Sequence, residues 1–192
     1  MKPTILTVSS QSFNFIDPAS NVIRVTDIAH ALAHVCRFAG HTREFYSVAQ
    51  HSVLVSLIVP PEDALAALFH DATEAYIGDV SSPLKQLLPD YQAIEARLHA
   101  DIFAKLGIPA ELPASVKRAD RILLATEQRD LIAPHDEEWS QLAGIAPLDE
   151  CIAPLPPWQA ATLFLERYRE LVAPRMPAFI GFDLARDAGG AA

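Results

Sequence analysis

The sequence predicts an all-α domain of about six helices. Three observations carry that prediction: apolar residues recur at three- and four-residue steps in successive segments, Pro and Gly punctuate those segments, and there is no internal repeat of fixed period.

Residues 4–25 mix Thr, Val, Ser and Phe with the turn formers Asp17, Pro18 and Asn21, so a short β-hairpin or an extended arm is expected there. From Thr26 the period becomes helical. Ile28, Ala31, Leu32, Val35 and Phe38 share one face, with Thr26 as N-cap and Gly40 as the stop. A second helix is expected from Arg43 to Ile58, ended by Pro60-Pro61, which cannot continue an α-helix. A third runs from Glu62 to Tyr76 and closes at Gly78; SSPLKQLLP then reads as a loop with a helical turn. Asp90 caps a fourth helix reaching Lys105, terminated by Gly107 and Pro109. A fifth follows Pro113, with Ser115 near its start and Ile122, Leu123, Thr126 and Leu131 along it.

The segment Pro134–Pro157 holds five prolines and reads as a long loop with a turn of helix. A last helix, Trp158–Val172, sets Ala161, Leu163, Phe164, Tyr168 and Leu171 against Arg167, Arg169 and Glu170. The whole is one domain over residues 1–172, with arm 1–25, and the tail 173–192 is expected to be only partly ordered.

At 192 residues and 51% hydrophobic, the chain is long enough to bury a core without disulfides or a structural metal. Fifteen Lys+Arg against 24 Asp+Glu give a net charge of −9, the wrong sign for coating nucleic acid or an anionic membrane. An anionic ligand must then be held locally, by a metal or a few placed cations. Cys36 and Cys151 have no ligand spacing, which argues against a cysteine zinc site and suits a reducing cytoplasm. The most apolar run, Val53–Pro60, falls far short of the ~20 residues that span a bilayer, and the N-terminus does not resemble a signal peptide. A cytoplasmic location is expected.

The chemistry-bearing feature is His70-Asp71, set in the apolar stretch LAALFHDATEAY. Adjacent residues on a helix point ~100° apart, so both reach one point only at a helix edge. His51, one helix earlier, lies among apolar residues and would by itself read as a hydrogen-bonded core histidine. Asp120, one long helix beyond, would by itself read as a surface partner of Lys117 or Arg121. Together, two imidazoles and two carboxylates from three helices form the mixed N/O set that suits Mg²⁺ or a first-row divalent cation.

The order H…HD…D, with spacings of 19 and 49 residues, resembles the HD-domain superfamily of metal-dependent phosphohydrolases. The resemblance covers roughly residues 26–130 and implies that His51, His70, Asp71 and Asp120 ligate one divalent metal ion (Mg, Mn, Co, Fe, Ni or Zn). HDATEAYIGDVSSPLK also resembles the HDxxE and following GD of the bacterial 5′-deoxyribonucleotidase branch. That likeness gives Glu74 a role in orienting or activating the attacking water and places Asp79 in the active site. Arg37-Phe38 resembles the branch's Arg-aromatic pair that handles phosphate and sugar, through an intervening segment that differs in length. The resemblance further implies a homodimer or larger ring.

Helical spacing puts Glu74 one turn from His70 and Asp71. Lys85 and Arg37 are the first candidate cations for phosphoryl oxygens, with Arg118 and Arg121 as weaker ones and His41 as a further substrate contact. His30 and His34 have HxxxH spacing, but Ala31 stands where a zinc protease needs Glu, so helix packing or support of the site is the better reading. Tyr46 and Trp158 read as core or rim aromatics.

The expected activity is hydrolysis of phosphate in small nucleotides, first as a 5′-deoxynucleotidase, because the cations near the motif are few. A dNTP triphosphohydrolase or pyrophosphohydrolase is the alternative. A cyclic-nucleotide or ppGpp phosphodiesterase and a non-catalytic HD module remain as further readings.

Overall fold

The computed structural model describes residues 2–173, so the expectation for the C-terminal tail lies almost wholly outside the described residues. The N-terminal hairpin is present: β1 (Thr4–Leu6) pairs antiparallel with β2 (Ser12–Asn14), Ile5 opposite Phe13. Everything after it is helical or irregular. Five helices of ten residues or more carry the fold: α1 (Val25–His34), α2 (Val48–Ile58), α6 (Pro89–Leu106), α7 (Ala114–Leu131) and α8 (Pro157–Val172). Three short ones, α3 (Ala64–Phe69), α4 (Glu74–Ile77) and α5 (Ser82–Lys85), stand between α2 and α6.

Helix α2 is the centre. VAQHSVLVSLI is apolar nearly all round, so it must be covered on several sides, and α1, α3, α7 and α8 pack against it. Ser47 caps it by accepting from the Gln50 N–H at 3.2 Å. The Gln50 amide in turn donates to the Ala153 carbonyl (2.8 Å) and accepts from the Leu155 N–H (2.9 Å), fastening the proline-rich segment to the core. None of the described helices is long and apolar enough to cross a membrane.

Several boundaries differ from expectation. Helix α1 starts at Val25 with Thr26 inside it, and it stops at His34, not Gly40. Val35 turns extended and Cys36 bridges to Ser47, so backbone pairing with the start of α2 ends the helix early. Phe38, Ala39 and Gly40 then take φ of 55°, 51° and 84°, a left-handed turn that L-residues enter only at a cost. The second helix starts at Val48, where Ser47 caps it.

The third expected helix is broken: from His70 to Thr73 the chain tightens into i→i−3 bonds, Ala72 N to Phe69 O at 2.9 Å and Glu74 N to Asp71 O at 3.0 Å. The helix beginning near Asp90 starts at Pro89, so Asp90 is a first-turn residue and not a cap. On α8 the buried positions are Ala160 and Phe164; Leu163 is exposed, and Arg167 faces inward to bond the Ser56 hydroxyl (3.1 Å) and carbonyl (3.0 Å). Tyr46 is core, whereas Trp158 is 67% exposed.

Candidate functional site

His51 projects from the middle of α2 and is completely buried. Its Nδ1–H donates to Glu127 Oε1 at 2.6 Å, which leaves the Nε2 lone pair free in the neutral ring. His70 stands at the tightened turn after α3, and its Nδ1–H donates to the Ala67 carbonyl at 2.7 Å, so its Nε2 is free in the same way. The two Nε2 atoms are 3.3 Å apart. Asp120 Oδ1 on α7 lies 3.2 Å from His51 Nε2, and one donor atom from each of His51, His70 and Asp120 falls within 4.8 Å of the others. Asp71 Oδ2 borders the group, 3.3 Å from His70 Nε2 and 3.7 Å from His51 Nε2, and also faces Arg37 Nη1 at 3.6 Å.

This donor set fits a divalent cation. With both rings neutral, two nitrogen lone pairs and two carboxylates converge on one point without a donor between them, an arrangement that a positive charge relieves. The same need shows in the pKa of His51: burial and the Arg37 charge oppose protonation, but Glu127 and Asp120 outweigh them and raise it to about 9. Asp120 is shifted the other way. Burial alone would raise its pKa, but the His51 hydrogen bond and the positive groups around it hold it below the ordinary range.

Asp71 and Asp120 line a cavity of about 800 Å³, which also receives Arg37, Phe38, His41, Glu74, Asp79 and Lys85. The expected substrate-side residues are therefore gathered around the two carboxylates. Glu74 begins α4, is buried, and has Oε2 without a hydrogen-bond partner. Burial, then the charges of Asp71 and Asp79, push its pKa well above the carboxylate range. Asp79 follows the α4 terminus at Gly78, and burial raises it too.

The cations are not free. Arg37 Nη2 donates to Glu127 Oε2 at 3.1 Å while Nη1 faces Asp71, and Lys85 pairs with Glu95 at 2.7 Å. Arg118 and Arg121 are exposed and stand outside the cavity lining. His30 and His34 are likewise exposed, their rings 4.3 Å apart on the outside of α1, away from the packing and supporting roles expected of them.

Two residues at the site were not singled out by sequence. Glu127, completely buried, joins His51 to Arg37, and burial is outweighed by both positive partners so that it stays ionised. Its signal is the seven-residue step from Asp120, two turns along one face of α7. Trp139, from the proline-rich segment, has its ring centroid 6.1 Å from that of Phe38 and lines the cavity. Glu137, Glu138 and Ser140 accompany it, and the same residues line a second cavity of about 740 Å³, so this stretch is the wall between the two.

No protein-family model matches the chain. It is 38% identical over 122 residues to RCAP_rcc00048 of Rhodobacter capsulatus, an uncharacterized protein, across 58% of this chain and 62% of that one. It is 47% identical over 169 residues to YfdR of Escherichia coli K12, also uncharacterized, across 87% of this chain and 94% of that one. The chain belongs to the protein family that includes Escherichia coli YfdR.

Proposed function

We propose that the protein is a metal-dependent phosphohydrolase of the HD superfamily acting on small deoxynucleotides, first of all as a 5′-deoxynucleotidase. The observation that carries this reading is the convergence of His51 Nε2, His70 Nε2 and Asp120 Oδ1 beside a cavity that also receives Glu74, Arg37 and Lys85. Asp71, bordering the three, completes the ligand set.

A divalent cation held by these residues would polarise a phosphoryl oxygen and acidify a water molecule. The chain's own groups do the rest. Glu74 Oε2, buried and unpartnered, accepts the proton of the attacking water; burial makes this carboxylate a stronger base than an exposed one. Arg37 and Lys85 bring positive charge to the wall where phosphoryl oxygens gather charge in the transition state. Both already neutralise carboxylates, leaving little charge for a triphosphate tail, which favours a monophosphate ester. Phe38 and Trp139 give the cavity an aromatic wall for a nucleoside. Self-association belongs to the same proposal, with exposed Trp158 on α8 as a candidate contact.

The test is a screen of deoxynucleoside monophosphates, dNTPs, ribonucleoside monophosphates and cyclic nucleotides with Mg²⁺, Mn²⁺ or Co²⁺. Phosphate release from the deoxynucleoside monophosphates is expected. Absence of turnover with every substrate and metal would remove the enzymatic reading.

A further inference from the structure

We infer that Glu127 is a positioning residue that sets the cation site and the Arg37 wall of the cavity together. The inference rests on His51, His70 and Asp120 forming a cation site. A completely buried carboxylate is costly unless both oxygens find donors, and Glu127 divides its two between different parts of the site. Oε1 takes the Nδ1–H of His51 at 2.6 Å, and Oε2 takes Arg37 Nη2 at 3.1 Å.

The first bond decides which ring nitrogen of His51 carries the proton. With hydrogen on Nδ1, the lone pair on Nε2 faces His70 and Asp120; with hydrogen on Nε2, His51 is no ligand at all. His70 obtains the same tautomer from a backbone carbonyl, which substitution cannot remove. Glu127 is the side chain that does this for His51. The second bond holds Arg37 where its other terminal nitrogen meets Asp71 and the cavity. Asp120 and Glu127 share α7, so one helix delivers a ligand and the outer partner of another ligand.

Glu127→Gln keeps the shape but has a single acceptor oxygen. The charged guanidinium competes more strongly for it, so the new amide N–H₂ turns towards His51 and drives the ring proton to Nε2. Titration calorimetry with Mn²⁺ on the full chain is expected to show binding weakened about 10–100-fold in Glu127→Gln, the range lost when an outer partner of a metal-bound histidine is removed. In the metal-free proteins above pH 9, where the ring is neutral, the ¹⁵N shifts of the His51 ring should show the proton on Nδ1 in wild type and on Nε2 in Glu127→Gln, which a merely structural role would not produce.

Circular dichroism and thermal unfolding establish that the variant is folded. If it is not, Glu127→Asp, which retains both acceptors on a shorter stem, is expected to bind Mn²⁺ with an affinity between those of wild type and the Asp120→Ala variant. Wild-type Mn²⁺ affinity in a folded Glu127→Gln, or in Glu127→Asp where that variant has to stand in, overturns the inference. So does an unchanged His51 tautomer. A wild-type protein that binds no Mn²⁺ overturns it together with the cation site. Mn²⁺ binding without nucleotide turnover removes the proposed activity and leaves the Glu127 inference standing.

Discussion

The cation cluster and the rest of the cavity are built by different means. His51, His70 and Asp120 come from α2, the turn after α3, and α7, and the two histidines are each locked by a second hydrogen bond at 2.6–2.7 Å. Phe38, His41, Lys85 and Trp139 come from a left-handed turn, its end, a four-residue helix and the proline-rich segment. The core elements fix where a charge can be held, while short irregular elements shape what is held beside it. Substitutions in the first region should therefore abolish function, and substitutions in the second should grade it.

The largest effect is expected for Asp120→Ala. Its side chain is 42% exposed, so truncation removes the proposed ligand without opening a core cavity. Calorimetric Mn²⁺ affinity should fall by more than the ~10–100-fold that loss of an outer partner costs. Glu74→Gln should come next: cation binding persists, and kcat falls by ~10²–10⁴, the usual contribution of a general base. Mn²⁺ binding abolished along with turnover in this variant would make Glu74 a ligand and blur the division between holding the cation and activating water.

The cation site also predicts a pH dependence. His51 titrates near 9 in the cation-free fold against about 6.5 when unfolded, so its stabilisation is complete below pH ~6.5 and is lost as pH rises through about 9. A cation must displace that proton. Apparent Mn²⁺ affinity should consequently rise with pH up to about 9, by as much as tenfold per unit, while the melting temperature of the cation-free protein falls over the same window. Asp120 and Glu127, both held low, act on the acid side: their contribution is present above the ordinary carboxylate pKa and is lost as pH falls through their folded values. Calorimetry from pH 5 to 9 measures the affinity trend, and thermal unfolding from pH 2 to 10 measures the two stability trends.

Smaller effects belong to the irregular wall. Trp139→Ala should raise KM for a nucleotide several-fold, ~1 kcal/mol, with kcat nearly unchanged, because one aromatic contact to a base is worth about that much. Ala39→Gly, at φ 51°, should raise stability in urea by up to about 1 kcal/mol through relief of left-handed strain. A loss of stability instead would mean that the turn is held by contacts of the Ala39 methyl.

The same division explains what could be read from the sequence. His51, the His70-Asp71 doublet and Asp120 are ordinary one by one and legible only through their combination and order and the resemblance that order carries, while the helices around them follow from periodicity and Pro/Gly punctuation. The break at His70 does not. It depends on the His70 ring bonding the Ala67 carbonyl and on the tightened turn that follows, neither of which periodicity encodes. The early end of α1 depends on the Cys36–Ser47 bridge, a contact between segments. Glu127 resembles any charged helix residue until α2 packs His51 against it, and Lys85 is a free cation only until α6 brings Glu95 to it.

The most direct measurement is inorganic phosphate release from deoxynucleoside monophosphates as Mn²⁺ is titrated into metal-stripped protein, wild type beside Asp120→Ala. The wild type should turn over in proportion to cation bound, saturating near one equivalent, and the variant should require far more cation or stay silent. Release that ignores the cation, or identical curves for the two proteins, would contradict a catalytic cation held by His51, His70 and Asp120.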